Sequence, residues 1–215
     1  MESTKTRILK KLLETDGYLS GQELCEQLGV SRTAVWKYMK QLKEEGYEIE
    51  AVQNKGYCLK DVPDVLGESE IKSRLHTRWA GQTLYYYDEI DSTNTQIKRL
   101  AEEDAPHGTL AVADYQSRGK GRRGRAWDSP HGSAIYMSIL FRPEIRPDRA
   151  SMLTLVIGLS VTQAIRSNLG LQAQIKWPND VVLNEKKLVG ILTEMSAQMN
   201  YIEYLVTGIG INANL

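Results

Sequence analysis

At 215 residues the chain is long for one domain and comfortable for two. Its 27 basic and 27 acidic side chains cancel, so global charge predicts no polyanion partner, and any nucleic-acid binding has to come from local clustering. No run approaches the roughly 18 apolar residues of a membrane helix, the start has no apolar signal core, and Cys25 and Cys58 show neither metal spacing nor a disulfide framework. The expectation is a cytoplasmic protein with reduced thiols and no membrane partner. His76, His107 and His131 form no cluster, so no zinc site is expected.

In chain order, Ile8, Leu9, Leu12 and Leu13 give a first helix one apolar face. Ser20 reads as the N-cap of a second helix through Leu24 and Leu28. After the turn Gly29-Val30-Ser31, Ser31 caps a third helix bearing Val35, Met39 and Leu42. That helix exposes Arg32, Thr33, Lys37, Lys40 and Gln41. Tyr47–Val52, a polar tip containing Lys55 and Gly56, and Tyr57–Leu59 read as a hairpin. Together these describe a winged helix-turn-helix, residues 1–62, whose third helix enters a DNA major groove while Lys55 touches phosphate. The predicted DNA-binding residues are Ser31, Arg32, Thr33, Lys37, Lys40 and Lys55. A plain helical packing module with surface lysines is the competing reading.

Residues 63–80 read as a linker with a short helix near Glu70–Leu75, and residues 81–215 as a second domain. Leu84–Ile90, Thr109–Tyr115, Ala134–Phe141, Ile175–Trp177, Val181–Leu183, Leu188–Glu194 and Tyr201–Ile211 are predicted strands. Asn94–Glu103 and Ser151–Leu169 are predicted helices. Strands joined by short turns, with few helices, point to an α+β fold on a mixed, mainly antiparallel sheet.

Between two of those strands lies Arg118-Gly119-Lys120-Gly121-Arg122-Arg123-Gly124-Arg125, five cations and three glycines in eight residues. Glycine here denies the segment helix propensity and predicts a mobile loop able to close over an anion, though a solvated basic loop is the ordinary reading. Gly119–Gly124 matches G-x-G-x-x-G by letter, but no helix opens there, so a dinucleotide site is excluded. No Walker-type phosphate loop is present.

Five anchors recur in fixed order: Asp91-Ser92-Thr93-Asn94; Gln116 with the basic loop and Trp127; Lys176-Trp177-Pro178-Asn179-Asp180; Lys187–Leu192; and Gly208-Ile209-Gly210-Ile211-Asn212. On these the sequence resembles the biotin protein ligases that are also biotin-operon repressors, across essentially its whole length. The resemblance implies a class II synthetase-like core of the biotin/lipoate ligase type. It implies formation of biotinyl-5′-AMP from biotin and ATP with Mg2+, then transfer to a lysine of a biotin carboxyl carrier protein. Joining a carboxylate to a polyphosphate needs fixed cations and N–H donors, not a protein nucleophile.

By the same resemblance Ser92, Thr93, Asn94 and Gln116 read the ureido head, with Ser92 alternatively capping the following helix. Lys120, Gly121 and Arg122 close over biotin and the adenylate phosphate. Lys187 bridges the biotin carboxyl group and the α-phosphate, and Gly190 lets the backbone approach the ligand. Arg123, Arg125, Asn179 and Asn212 lie on the nucleotide side, where Trp127 stacks on adenine unless it is simply core. Lys176 and Asp180 sit near the phosphates or the metal. Operator DNA and a homodimer formed with biotinyl-AMP are the implied partners. A lipoate ligase of the same fold and a non-catalytic ligand-sensing transcription factor are the alternatives. Two departures stand out: Lys120 takes a place where the family uses arginine, and relatives continue past the Gly-Ile-Asn motif whereas this chain stops at Leu215. The second departure predicts a fragment lacking part of the ligase core and a C-terminal β-barrel.

Overall fold

Serine hydroxyls start each of the first three helices. In a computed structural model, which describes residues 3–214, Ser3 Oγ accepts from Thr6 N to open α1 (Thr4–Glu14). Ser20 does the same from Gln22 N for α2 (Gly21–Leu28), and Ser31 from Ala34 N for α3 (Arg32–Glu44). Gly29 ends α2 at φ 66°, a left-handed position that suits glycine. Ile8, Leu9, Leu12, Leu24, Val35, Met39 and Leu42 are buried together with Ile49 of the hairpin β1 (Glu48–Val52) and β2 (Gly56–Asp61). A two-way backbone bridge between Leu19 and Tyr57 ties the start of α2 to the hairpin. At Gly56, beside it, a Cβ would fall 2.1 Å from the Leu19 carbonyl oxygen, so this crossing requires glycine.

The chain separates into two compact units, Met1–His76 and Thr77–Leu215. The short helix α4 (Glu68–Arg74), expected within a linker, packs against α1, and Tyr47 donates to Glu70 Oε2 at 2.6 Å. It is therefore part of the first unit.

The second unit is a seven-stranded sheet in the order β3-β4-β5-β9-β8-β7-β6. Its strands are β3 (Leu84–Ile90), β4 (Leu110–Gln116), β5 (Ala134–Phe141), β6 (Gln174–Lys176), β7 (Asp180–Leu183), β8 (Lys186–Ala197) and β9 (Ile202–Asn212). Only β3 and β4 run parallel, so the sheet is mixed and mainly antiparallel, as expected. Alternation splits its two faces. Val189, Ile191 and Ile209 pack under α6 (Ala150–Leu169) with Ile165. Leu140 and Val206 pack under α5 (Thr93–Glu102) with Ile97 and Leu100. The α5 face also carries Ser138 opposite Gly208, and Gly210 opposite both Tyr136 and Gly190. Three glycines thus leave a shallow floor beside the N-terminus of α5.

The segment Pro147–Leu169 is long and apolar enough to cross a membrane by length and composition, although its apolar residues are interrupted by polar ones. Here α6 lies on the sheet through Gly158, Thr162 and Ile165, and exposes Met152, Leu155, Val156 and Leu159.

Candidate active site

The start of α5 brings Ser92, Thr93 and Asn94, all buried, over the glycine floor. Thr93 donates to Gln116 Oε1 through both its backbone N (2.9 Å) and its hydroxyl (3.1 Å), and Gln116 Nε2 donates to Ser129 Oγ at 3.0 Å. Ser138 Oγ lies 2.7 Å from Thr93 Oγ1 and 2.6 Å from Asn94 Oδ1, and its single proton can serve only one of them at a time. Asn94 Nδ2 donates to Glu194 Oε2 at 2.8 Å, and Lys98 donates to the other carboxylate oxygen at 2.6 Å. Burial alone would raise the Glu194 carboxyl, but the hydrogen bonds from Lys98 and Asn94 outweigh it and hold the group below the usual carboxylate range.

All four residues predicted to read a ligand head therefore meet around one cavity, of about 30 Å³. That is little more than room for a water. Ser92 occupies the N-cap position of α5 yet makes no side-chain cap bond, so capping is not what its hydroxyl does. Sequence reasoning missed Ser138, Ser129 and Glu194, which complete the network.

The basic segment is more ordered than expected. Gly121 N donates to Arg125 O, Trp127 N donates to Gly119 O, and Lys120 bridges Ala126, with a short 3-10 turn over Arg122–Gly124 between them. A Cβ on Gly119 would come within 2.3 Å of Trp127 O, so glycine permits this closure. The loop lays Trp127 across the sheet: a Cβ at Gly190 or Gly210 would fall 2.3 Å or 2.7 Å from the indole. Trp127 Nε1 is buried and finds no hydrogen-bond partner among the described residues.

The same indole also lines a second cavity, of about 290 Å³. Lys120, Arg122, Arg123, Arg125 and Lys187 line it, five cations against the single carboxylate of Asp180. Gly121, Asn179 and Gly190 complete much of the wall. Lys187 Nζ sits 4.9 Å from the Trp127 ring centroid and 2.9 Å from Asp180 Oδ1. That contact is an ion pair without hydrogen-bond alignment, since Asp180 Oδ1 is buried and has no hydrogen-bond partner. Asn179 is pinned to β8, its side chain donating to Ile191 O and its carbonyl accepting from Ile191 N.

Two predicted residues fall outside both cavities. Lys176, expected near the phosphates or the metal, is exposed on edge strand β6. Its neighbours turn toward the wall only from Asn179 onward, because the Trp177–Pro178 turn separates them. Asn212, expected on the nucleotide side, donates to Lys187 O at 3.0 Å and fastens the end of β9 to the start of β8.

In the first unit, Ser31 caps α3, and Arg32, Thr33, Lys37 and Lys40 are exposed along it. Lys55 stands on the hairpin tip and, with Arg32 and Gln22, lines a cleft of about 410 Å³ between hairpin and helices. Trp36, absent from the sequence-based set, is 59% exposed in the middle of the same helix face.

Comparison with known proteins agrees with this division. Residues 4–58 match an HTH domain, and residues 86–212 match the biotin/lipoate A/B protein ligase family. The bifunctional ligase/repressor BirA of Bacillus spizizenii is 47% identical over all of this chain and that of Escherichia coli 36% identical over 94% of it. The chain spans 66% and 61% of those proteins' lengths, respectively. A biotin protein ligase from Aquifex aeolicus, solved with biotin and ATP, superposes with a TM-score of 0.51 at 39% identity, over 62% of this chain and 53% of that one. The chain belongs to the biotin/lipoate A/B protein ligase family, with an HTH domain ahead of the ligase segment.

Proposed function

We propose that the second unit activates biotin with ATP to biotinyl-5′-AMP and passes the acyl group to a lysine of a biotin carboxyl carrier protein. The first unit binds operator DNA when the adenylate is present. The observation that carries this reading is the pairing of a cavity with five cations and a neighbouring network of neutral donors and acceptors, the two sharing Trp127 and Lys120 in their walls.

Bringing the biotin carboxylate to the α-phosphate sets anion against anion. Lys187 offsets that repulsion from a fixed position on β8, and Lys120 and Arg122 add to it once their loop has closed; this electrostatic stabilisation is where most of the rate enhancement arises. Ser92, Thr93, Asn94, Gln116 and Ser138 hold the head and so aim the carboxylate along the floor. Gly190, Gly208 and Gly210 leave space for the chain, and the basic loop excludes water from the labile anhydride. With a cavity of about 30 Å³ at the head residues, Trp127 and its loop have to lift before a bicyclic head can enter. Asp180, the one carboxylate lining that cavity, with its buried Oδ1 ion-paired to Lys187 and free of hydrogen bonds, fits Mg2+, which takes one or two carboxylates plus substrate phosphates. Bound there, Mg2+ would supply charge neutralisation at the phosphates. Arg123, Arg125 and Asn179 lie on the nucleotide side of the cavity.

The network also separates biotin from lipoate. A ureido group offers two N–H donors and a carbonyl acceptor, whereas a dithiolane offers none and would leave buried polar groups unpaired. Calorimetric titration with each acid is expected to show biotin binding at least 100-fold tighter. Equal or reversed affinities would reject the biotin reading in favour of lipoate.

For the first unit, adenylate that binds better to a dimeric state raises operator affinity by linkage, since two winged helices then meet two half-sites.

A further inference from the structure

The helix α3 closes its core face with Val35, Met39 and Leu42, and Trp36 takes no part in it. An indole left 59% exposed at the centre of an otherwise polar face is the feature to explain. Thr33 and Lys40 lie three residues before and four after it, on the same face, and Lys37 is adjacent. Lys40 Nζ stands 6.0 Å from the indole centroid, at the outer limit of a cation–π contact. The ring edge faces no protein acceptor among the described residues. Cations lie one helical turn to either side of this position: Arg32, four residues before it and steadied by Gln22 at 2.8 Å, and Lys40, four residues after it. Charged groups on both sides of an open aromatic suit a strand of phosphates passing over each, with the indole between them facing base edges.

We infer that Trp36 reads a thymine in the major groove, an assignment that rests on the DNA-binding reading above. The chemistry selects the base. An indole presents an apolar rim and one donor, Nε1–H, and no acceptor. Thymine presents a methyl group and the O4 acceptor in the major groove, which satisfies both, whereas cytosine presents a donor there and repels it. Lys37 and Lys40 supply sequence-independent phosphate affinity, while Trp36 supplies choice of base.

The test uses the full chain, with and without biotin, ATP and Mg2+, to select duplexes from a random pool. Trp36→Ala is expected to weaken binding to the selected duplex about tenfold to a hundredfold. The salt dependence of binding stays unchanged, in contrast to Lys37→Ala, which lowers its slope. Replacing one thymine per half-site by deoxyuridine, which deletes only the methyl group, weakens the wild type but not Trp36→Ala. Trp36→Phe, which keeps the apolar contact and loses the donor, falls between. Because the residue is exposed, circular dichroism of the variants should match the wild type. If Trp36→Ala selects and binds the same duplexes as tightly as wild type, or if its effect adds to deoxyuridine at every thymine, the assignment is wrong. Failure of the wild type to select any duplex would reject the DNA reading itself.

Discussion

Lys187→Ala is expected to lower the rate of acyl-adenylate formation about 10²- to 10³-fold, the scale seen when one fixed electrostatic donor is removed from a transition state. Lys187 follows a tight turn, Asn184 and Glu185 both having positive φ, that places it at the start of β8 and at the rim of the cationic cavity. Its ammonium is steered inward by Asp180 at 2.9 Å and by the indole of Trp127. Removing it leaves Asp180, the cavity's one carboxylate, facing an incoming phosphate and carboxylate without its nearest counter-charge. Lys187→Arg keeps the charge but replaces a compact ammonium with a planar fork, so partial activity is expected. Single-turnover assays with saturating ATP check both. A Lys187→Ala enzyme within threefold of wild type would remove this residue from the chemistry.

Gly208→Ala is expected to weaken biotin binding by 100-fold or more while the sheet still forms. Gly208 pairs with Ser138 on one side and Leu192 on the other, in the middle of the glycine floor. A Cβ there would lie 2.1 Å from Asn94 Oδ1 and 2.9 Å from its Cγ. Asn94 cannot give way easily: Ser138 holds its oxygen and Glu194 holds its nitrogen. Overpacking of this kind costs about 1–3 kcal/mol of stability, which a sheet stabilised by three apolar clusters should tolerate. Displacing Asn94, however, breaks the network that presents the head-binding groups. Titration with biotin alongside thermal unfolding distinguishes the two effects, and wild-type affinity in a folded variant would contradict the floor's assigned role.

Much of this architecture is legible in the amino-acid order because local physics decides it. The caps at Ser20 and Ser31 need only a hydroxyl and a following turn. Leu84–Ile90 and Ala134–Phe141 form strands over the expected spans. The sheet order is not legible, since β9 inserts between β5 and β8 through pairings distant in sequence, and β3 lies parallel to β4. The same split governs the site. Thr93, Asn94 and Gln116 belong to motifs readable in a line, and the structure gathers them. Ser138 and Glu194 are single polar residues in strand text, and their importance depends on neighbours 44 and 100 positions away in Asn94. A lone serine within the apolar run Ala134–Phe141 was the available signal. Lys176 shows the reverse failure: a cation in a motif is not thereby a cation in the cavity, because an edge strand can turn it to solvent. Trp36 escaped the sequence reading because an aromatic within a helix is ordinarily read as core, and only its 59% exposure marks it out.

One incubation decides whether this chain's two cavities together build an acyl-adenylate. Wild-type chain with Mg2+, α-labelled ATP and biotin should yield labelled biotinyl-AMP, with no adenylate when lipoate replaces biotin. Lipoyl-AMP would move the specificity to the other branch of the family. Absence of any adenylate from protein that binds biotin would contradict the catalytic account and leave a ligand-sensing DNA-binding protein.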